Sequence, residues 1–121
     1  MNVLVVDDSK SLRLLVGVAL RRAGHEVAEA GDGVEALQAL EGAEVACVVC
    51  DLNMPRMDGF EFLERLRTLP GHGRTPVVVL TTECSPASVA RGEAAGVRAW
   101  IVKPFRTEQL VAAVAGAAAA C

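Results

Sequence analysis

Short apolar runs of strand-like composition alternate with segments of helical periodicity along the whole chain, and this alternation constrains the fold most. "NVLVV" (Asn2–Val6) comes first, and Ser9 to Ala23 follows with Leu12, Leu15, Val16 and Ala19 at helical spacing until Gly24 stops it. "EVAEA" (Glu26–Ala30) is a half-polar second strand, followed by a helix over Gly33 to Leu40 with Val34, Leu37 and Leu40 on one face. "VACVVC" (Val45–Cys50) is apolar throughout, and Phe60 to Leu69 is helical with Phe60, Leu63 and Leu66 or Leu69 facing inward. "TPVVVL" (Thr75–Leu80) is a fourth buried strand; Ser85 reads as an N-cap with Pro86 at the first helical position, and Gly96 ends that helix. "AWIV" (Ala99–Val102) and a closing helix from Thr107 to about Ala119 complete the pattern.

Five β-α units predict an α/β fold with a parallel sheet covered on both faces. The first, third and fourth runs are apolar on both sides and belong in the sheet interior; the second and fifth suit edges. The strand order is then 2-1-3-4-5, a flavodoxin-like doubly wound sheet, (βα)5. No linker or change of composition divides the 121 residues, so one domain over 1–121 is expected.

In such sheets ligands bind beyond the carboxyl ends of the strands, where the winding reverses. Here that point lies between the first and third strands. The first strand exits into Asp7 and Asp8, the third into Asp51, the fourth into Thr81, and the fifth into Lys103 and Pro104. The Gly31–Gly33 stretch, at the remote second strand, reads as a turn. Three carboxylates in one crevice repel unless one takes up a proton or a cation is present. Hard oxygen donors suit Mg²⁺, and with the ion bound Asp51 can stay ionised as a nucleophile toward phosphorus. Lys103 would neutralise the other side of a phosphoryl group, and the Thr81 hydroxyl would donate to one of its oxygens.

Composition narrows the partners. A 52% hydrophobic chain builds a core without metal or disulfide staples, and a net charge of −3 with no basic stripe disfavours nucleic acid. No apolar run reaches the roughly 18 residues a bilayer span needs, and Asp7 and Asp8 break the only candidate signal sequence. A cytoplasmic protein with reduced thiols is expected. Cys47 and Cys50 form a C-x-x-C, but three residues apart on a strand they point to opposite faces and read as buried small hydrophobes; Cys84 and the terminal Cys121 receive no role. His25 and His72 fall in loops and read as solvated, Met54, Pro55 and Met57 as a packed loop, and Asp58–Gly59 as a turn opening a helix.

"VDD" (Val6–Asp8), "DLNMPRMDG" (Asp51–Gly59), "LTT" (Leu80–Thr82) and "VKPF" (Val102–Phe105) together resemble the response-regulator receiver domains, and especially the single-domain chemotaxis regulators of the CheY type. The resemblance implies that Asp51 accepts phosphoryl from the phosphohistidine of a histidine kinase, CheA-like. It implies Mg²⁺ held by Asp8, Asp51 and the Asn53 backbone carbonyl, with Asp7 on a water of the ion, and Thr81 and Lys103 on the phosphoryl group. It also implies a cis Lys103–Pro104 peptide, and a switch in which Thr81 and Trp100 move together and reshape the face of the fourth helix, fifth strand and fifth helix. Asn53 and Glu83 match the positions that tune dephosphorylation. Trp100 departs from the usual Tyr or Phe. Ala99 stands where DNA-binding relatives that dimerise through this face carry an acidic residue, and no DNA-binding domain follows. The expectation is therefore a monomer that binds a separate target, such as a flagellar motor switch protein. The alternatives are a phosphorelay intermediate or a receiver cut from a hybrid kinase. A Mg²⁺-dependent aspartyl phosphatase is a further class, but those resemble D-x-D at the first strand end, which this chain lacks.

Overall fold

The computed structural model describes residues Met1–Ala118 with their side chains and the backbone of Ala119; Cys121 lies outside the described residues. The elements follow the expected order: β1 (Asn2–Val6), α1 (Lys10–Arg22), β2 (Glu26–Ala30), α2 (Gly33–Leu40), β3 (Cys47–Cys50), α3 (Gly59–Thr68), β4 (Val77–Thr81), α4 (Pro86–Ala94), β5 (Val97–Val102) and α5 (Thr107–Ala119). All strands are parallel in the order β2-β1-β3-β4-β5.

Alternation along the strands splits the core into two layers. Leu4, Val6, Val48, Cys50, Val77 and Val79 face α2 and α3, whereas Val3, Val5, Cys47, Val49, Val78 and Leu80 face α1 and α5. Cys47 and Cys50 therefore sit in opposite layers, both as free thiols. Four helices open on side-chain caps: Ser9, Asp32, Asp58 and Ser85 each accept from a backbone N–H at the helix start.

Two inward assignments shift by a residue or two. Leu15 is 52% exposed, and α1 buries Val16, as expected, together with Gly17 and Leu20. The Arg13 guanidinium donates to the Asp7 carbonyl and pairs with Glu29 at 3.3 Å, which turns the 13/16/17/20 stripe onto the sheet. In α3 Phe62, Leu63 and Leu66 are buried, while Phe60 is half-buried beneath the Arg91 guanidinium, 4.1 Å from its ring centroid. His72 is not solvated: it is 4% exposed, with Nε2 at 2.9 Å from the Leu40 carbonyl oxygen and Nδ1 at 2.9 Å from Thr75 Oγ1. A carbonyl only accepts, so Nε2 carries the proton and the ring ties the end of α2 to the entry of β4. His25 is half-buried, and its Nδ1 is buried with no partner.

Candidate functional site

Sheet register brings the acidic residues together. Val6 pairs with Cys50, so Asp7 and Asp51 are the next residues off two adjacent strands. The Asp51 N–H donates to the Val6 carbonyl at 3.0 Å and the Asp7 N–H to Ala30 at 3.1 Å, which fixes both backbones at the sheet rim. One carboxylate oxygen from each of Asp7, Asp8 and Asp51 lies within 4.8 Å of the others. Asp7 and Asp51 are buried and Asp8 is exposed, so the cluster has a closed floor and an open side.

Lys103 reaches the same floor from β5. Its Nζ donates to Asp7 Oδ2 at 3.0 Å and to Asp51 Oδ2 at 3.1 Å. The Lys103 N–H donates to the Thr81 carbonyl at 2.8 Å, and the Lys103–Pro104 peptide is cis. The remaining oxygens are held locally: Asp7 Oδ1 accepts from the Ser9 N–H at 2.8 Å and Asp51 Oδ1 from the Asn53 N–H at 3.2 Å.

Burial pushes the Asp7 carboxyl above the usual carboxylate range; Asp51 pushes in the same direction, and Ser9 and Lys103 only partly oppose them. For Lys103 burial alone would lower the ammonium, but its hydrogen bonds and charge pairing with Asp7 and Asp51 outweigh burial and raise it. The Cys50 thiol, wholly buried beside Asp51, is pushed far up and stays protonated.

Three carboxylates, two of them sharing one lysine and the third at the open side, fit a hard divalent cation. Both oxygens of Asp7 and both of Asp51 already accept hydrogen bonds, so these two would meet a cation through their remaining lone pairs, while the exposed Asp8 carboxylate can turn toward it.

Thr81 and Trp100 are joined to each other rather than to the carboxylates. Thr81 is fully buried, and its Oγ1 accepts from the Glu83 N–H at 3.2 Å. The Trp100 indole Nε1 donates to the Glu83 carbonyl at 2.9 Å. The backbone of Glu83 thus bridges the two side chains. Its carboxylate turns back to accept from the Ser85 N–H at 2.9 Å, which holds it below the usual range. The Trp100 ring lies on Gly92, where a Cβ would come 2.7 Å from Cζ3.

Gly31–Gly33 is more than a turn. Asp32 is buried; Oδ1 caps α2 through the Glu35 N–H at 2.9 Å, and Oδ2 accepts from Arg56 Nε at 2.7 Å and Nη2 at 2.6 Å. The cap was legible in D-x-x-E, Asp32 to Glu35. The Arg56 partner, 24 residues away, had no local signal.

Residues 3–115 match the family described as the response regulator receiver domain. A chemotaxis protein CheY homolog of Campylobacter jejuni is 39% identical over 112 residues, covering 91% of this chain and 86% of that protein. A gliding motility regulatory protein of Myxococcus xanthus is 38% identical over 103 residues, but this chain spans only 13% of its length. The crystal structure of Vibrio cholerae chemotaxis protein CheY4 superposes with a TM-score of 0.91 at 42% identity, covering 96% of this chain and 97% of that one.

Proposed function

Because the chain belongs to the response regulator receiver family, a family of signalling switches that interact with histidine kinases and downstream targets, we propose that Asp51 is its phosphoacceptor. The observation that carries this reading is the Lys103 ammonium shared between Asp7 and Asp51 on the floor of a three-carboxylate cleft.

Asp51 Oδ attacks the phosphorus of a kinase phosphohistidine; a P–O bond forms, the P–N bond breaks, and the departing imidazole takes up a proton. Lys103 lies 3.1 Å from Asp51 Oδ2, placed to follow negative charge as it spreads onto the phosphoryl oxygens. Mg²⁺, held by Asp8, Asp51 and the Asn53 carbonyl with Asp7 behind them, supplies charge neutralisation when bound. Asn53, whose N–H holds Asp51, and Glu83, whose N–H holds Thr81, tune how quickly water removes the phosphoryl group.

The switch follows from the Glu83 bridge. The Thr81 hydroxyl accepts from the Glu83 N–H and keeps its own proton to donate, so a phosphoryl oxygen on Asp51 takes that proton and draws the side chain toward the cleft, away from Glu83. Moving Thr81 releases one side of the bridge and loosens the Trp100 bond to the Glu83 carbonyl. The face of α4, β5 and α5 then changes, where Val102 is already 41% exposed. The output proposed is a monomeric, chemotaxis-type regulator with a CheA-like donor and a motor-switch-type target, supported by its likeness to the Campylobacter protein. The long Myxococcus relative favours a second output, a receiver working within a larger regulatory protein or phosphorelay.

The test is incubation with a small phosphodonor and Mg²⁺, followed by intact mass. One phosphoryl group should add to the wild type and none to Asp51→Asn. An unlabelled wild type, or undiminished labelling of the variant, rejects the reading.

A further inference from the structure

The loop between β3 and α3 is anchored at a point remote from its ends. Arg56 adopts φ +65, a left-handed conformation unusual for a residue with a Cβ. Two of its guanidinium nitrogens converge on one oxygen of Asp32 at 2.7 and 2.6 Å. The next residue, Met57, packs onto Gly33 so closely that a Cβ there would come 2.9 Å from its sulfur. The loop is thus pinned to the first turn of α2 by an ion pair and an apolar plug. Three residues before Arg56 in the same loop, the Asn53 N–H holds Asp51 Oδ1 at 3.2 Å.

We propose that the Asp32–Arg56 pair is a positioning device for the acidic cleft. It holds the loop in register so that Asn53 aims the Asp51 carboxylate and presents its own carbonyl to the cation. Neither residue touches the reacting atoms. This rests on the phosphoacceptor reading above, in which Asp51 and Asn53 hold Mg²⁺. Asp32 is suited to two tasks because its oxygens are divided: Oδ1 caps α2 and Oδ2 takes the arginine. Burial of Asp32 sharpens its preference for a charged partner, and its carboxyl is held below the usual range by the Glu35 N–H first and by Arg56 as well.

The division of oxygens supplies the test. Asp32→Asn keeps an oxygen for the cap but loses the charge that holds Arg56; Arg56→Ala leaves the cap intact. Arg56→Gly removes the anchor while relieving the left-handed strain. Mg²⁺ titrations followed by Trp100 fluorescence, with calorimetry as a second readout, give the affinity of each. Residues that orient metal ligands from behind change affinity by about 10- to 100-fold, and a half-exposed arginine belongs at or below the bottom of that range. Each single variant should bind Mg²⁺ about 3- to 10-fold more weakly. The double variant Asp32→Asn/Arg56→Ala should lose no more than either alone. Melting in EDTA separates a general loss of fold from this effect, and the three single variants should remain folded under the titration conditions. Unchanged Mg²⁺ affinity in Asp32→Asn and Arg56→Ala, or losses that add in the double variant, overturns the proposal. A wild type that binds no Mg²⁺ defeats the phosphoacceptor reading itself, which is a different result.

Discussion

Neutralising Asp7 should stabilise the metal-free protein and weaken the metal-bound one. Asp7 is 3% exposed, with Asp8 and Asp51 oxygens within 4.8 Å and Lys103 Nζ at 3.0 Å. At an effective dielectric of about 20, a like-charge pair at the outer edge of that separation repels by roughly 3.5 kcal/mol, and the lysine attracts by roughly 5.5 kcal/mol. The two repulsions, one of them weakened by the exposure of Asp8, largely cancel the attraction. Burial then decides the sign, in agreement with the raised Asp7 pKa. Asp7→Asn removes the buried charge and keeps an oxygen for the Ser9 N–H, although its amide nitrogen turns toward Lys103. The net gain should be on the order of 1 kcal/mol, or roughly 4 °C in Tm for a chain of this size.

A carboxyl whose folded pKa is raised favours the folded state while protonated, and that contribution is lost as pH rises through the folded pKa. The advantage of the variant is therefore full above the raised value and vanishes below the ordinary 3.8. With Mg²⁺ at about 100 times its Kd the wild type gains about 2.7 kcal/mol and the variant less, so the order reverses. Urea melts in EDTA and in Mg²⁺, at neutral pH and near the carboxylate range, measure all of this. A variant less stable than wild type in EDTA at neutral pH, or an advantage that persists below 3.8, refutes the reasoning.

Gly92→Ala places a Cβ 2.7 Å from Trp100 Cζ3, so the indole should leave its seat and its emission should shift to the red; an unchanged spectrum contradicts the packing. Phe62→Ala should cost about 3–5 kcal/mol in urea unfolding, and Phe60→Ala distinctly less, since only Phe62 is fully buried. His72→Ala strands the Leu40 carbonyl and the Thr75 hydroxyl and should cost about 2–4 kcal/mol, whereas a solvated histidine would cost under about 0.5.

The strand order and the cleft were legible because the signal was local. Apolar runs ended at charged residues, and parallel topology forces those ends to one side: Asp7, Asp8, Asp51 and Lys103 met as expected. Helix facing was less legible. Leu15 lies next to the buried Val16 at the edge of the same stripe, and Phe60 and Phe62 each fit a helical stripe through Leu63 and Leu66; the edge of each stripe is occupied by Arg13 and Arg91, whose partners lie on other elements. His72 and Asp32 were misread for the same reason. Each is a polar residue in a turn-like sequence whose burial is set by a partner 32 or 24 residues away.

Chemical mapping of the phosphoryl linkage tests the central claim most directly. After reaction with phosphodonor and Mg²⁺, borohydride reduces an aspartyl phosphate to homoserine, and peptide sequencing locates it. The account predicts homoserine at position 51 and nowhere else, abolished by EDTA. Homoserine at another aspartate, or a labelled protein with none, contradicts it.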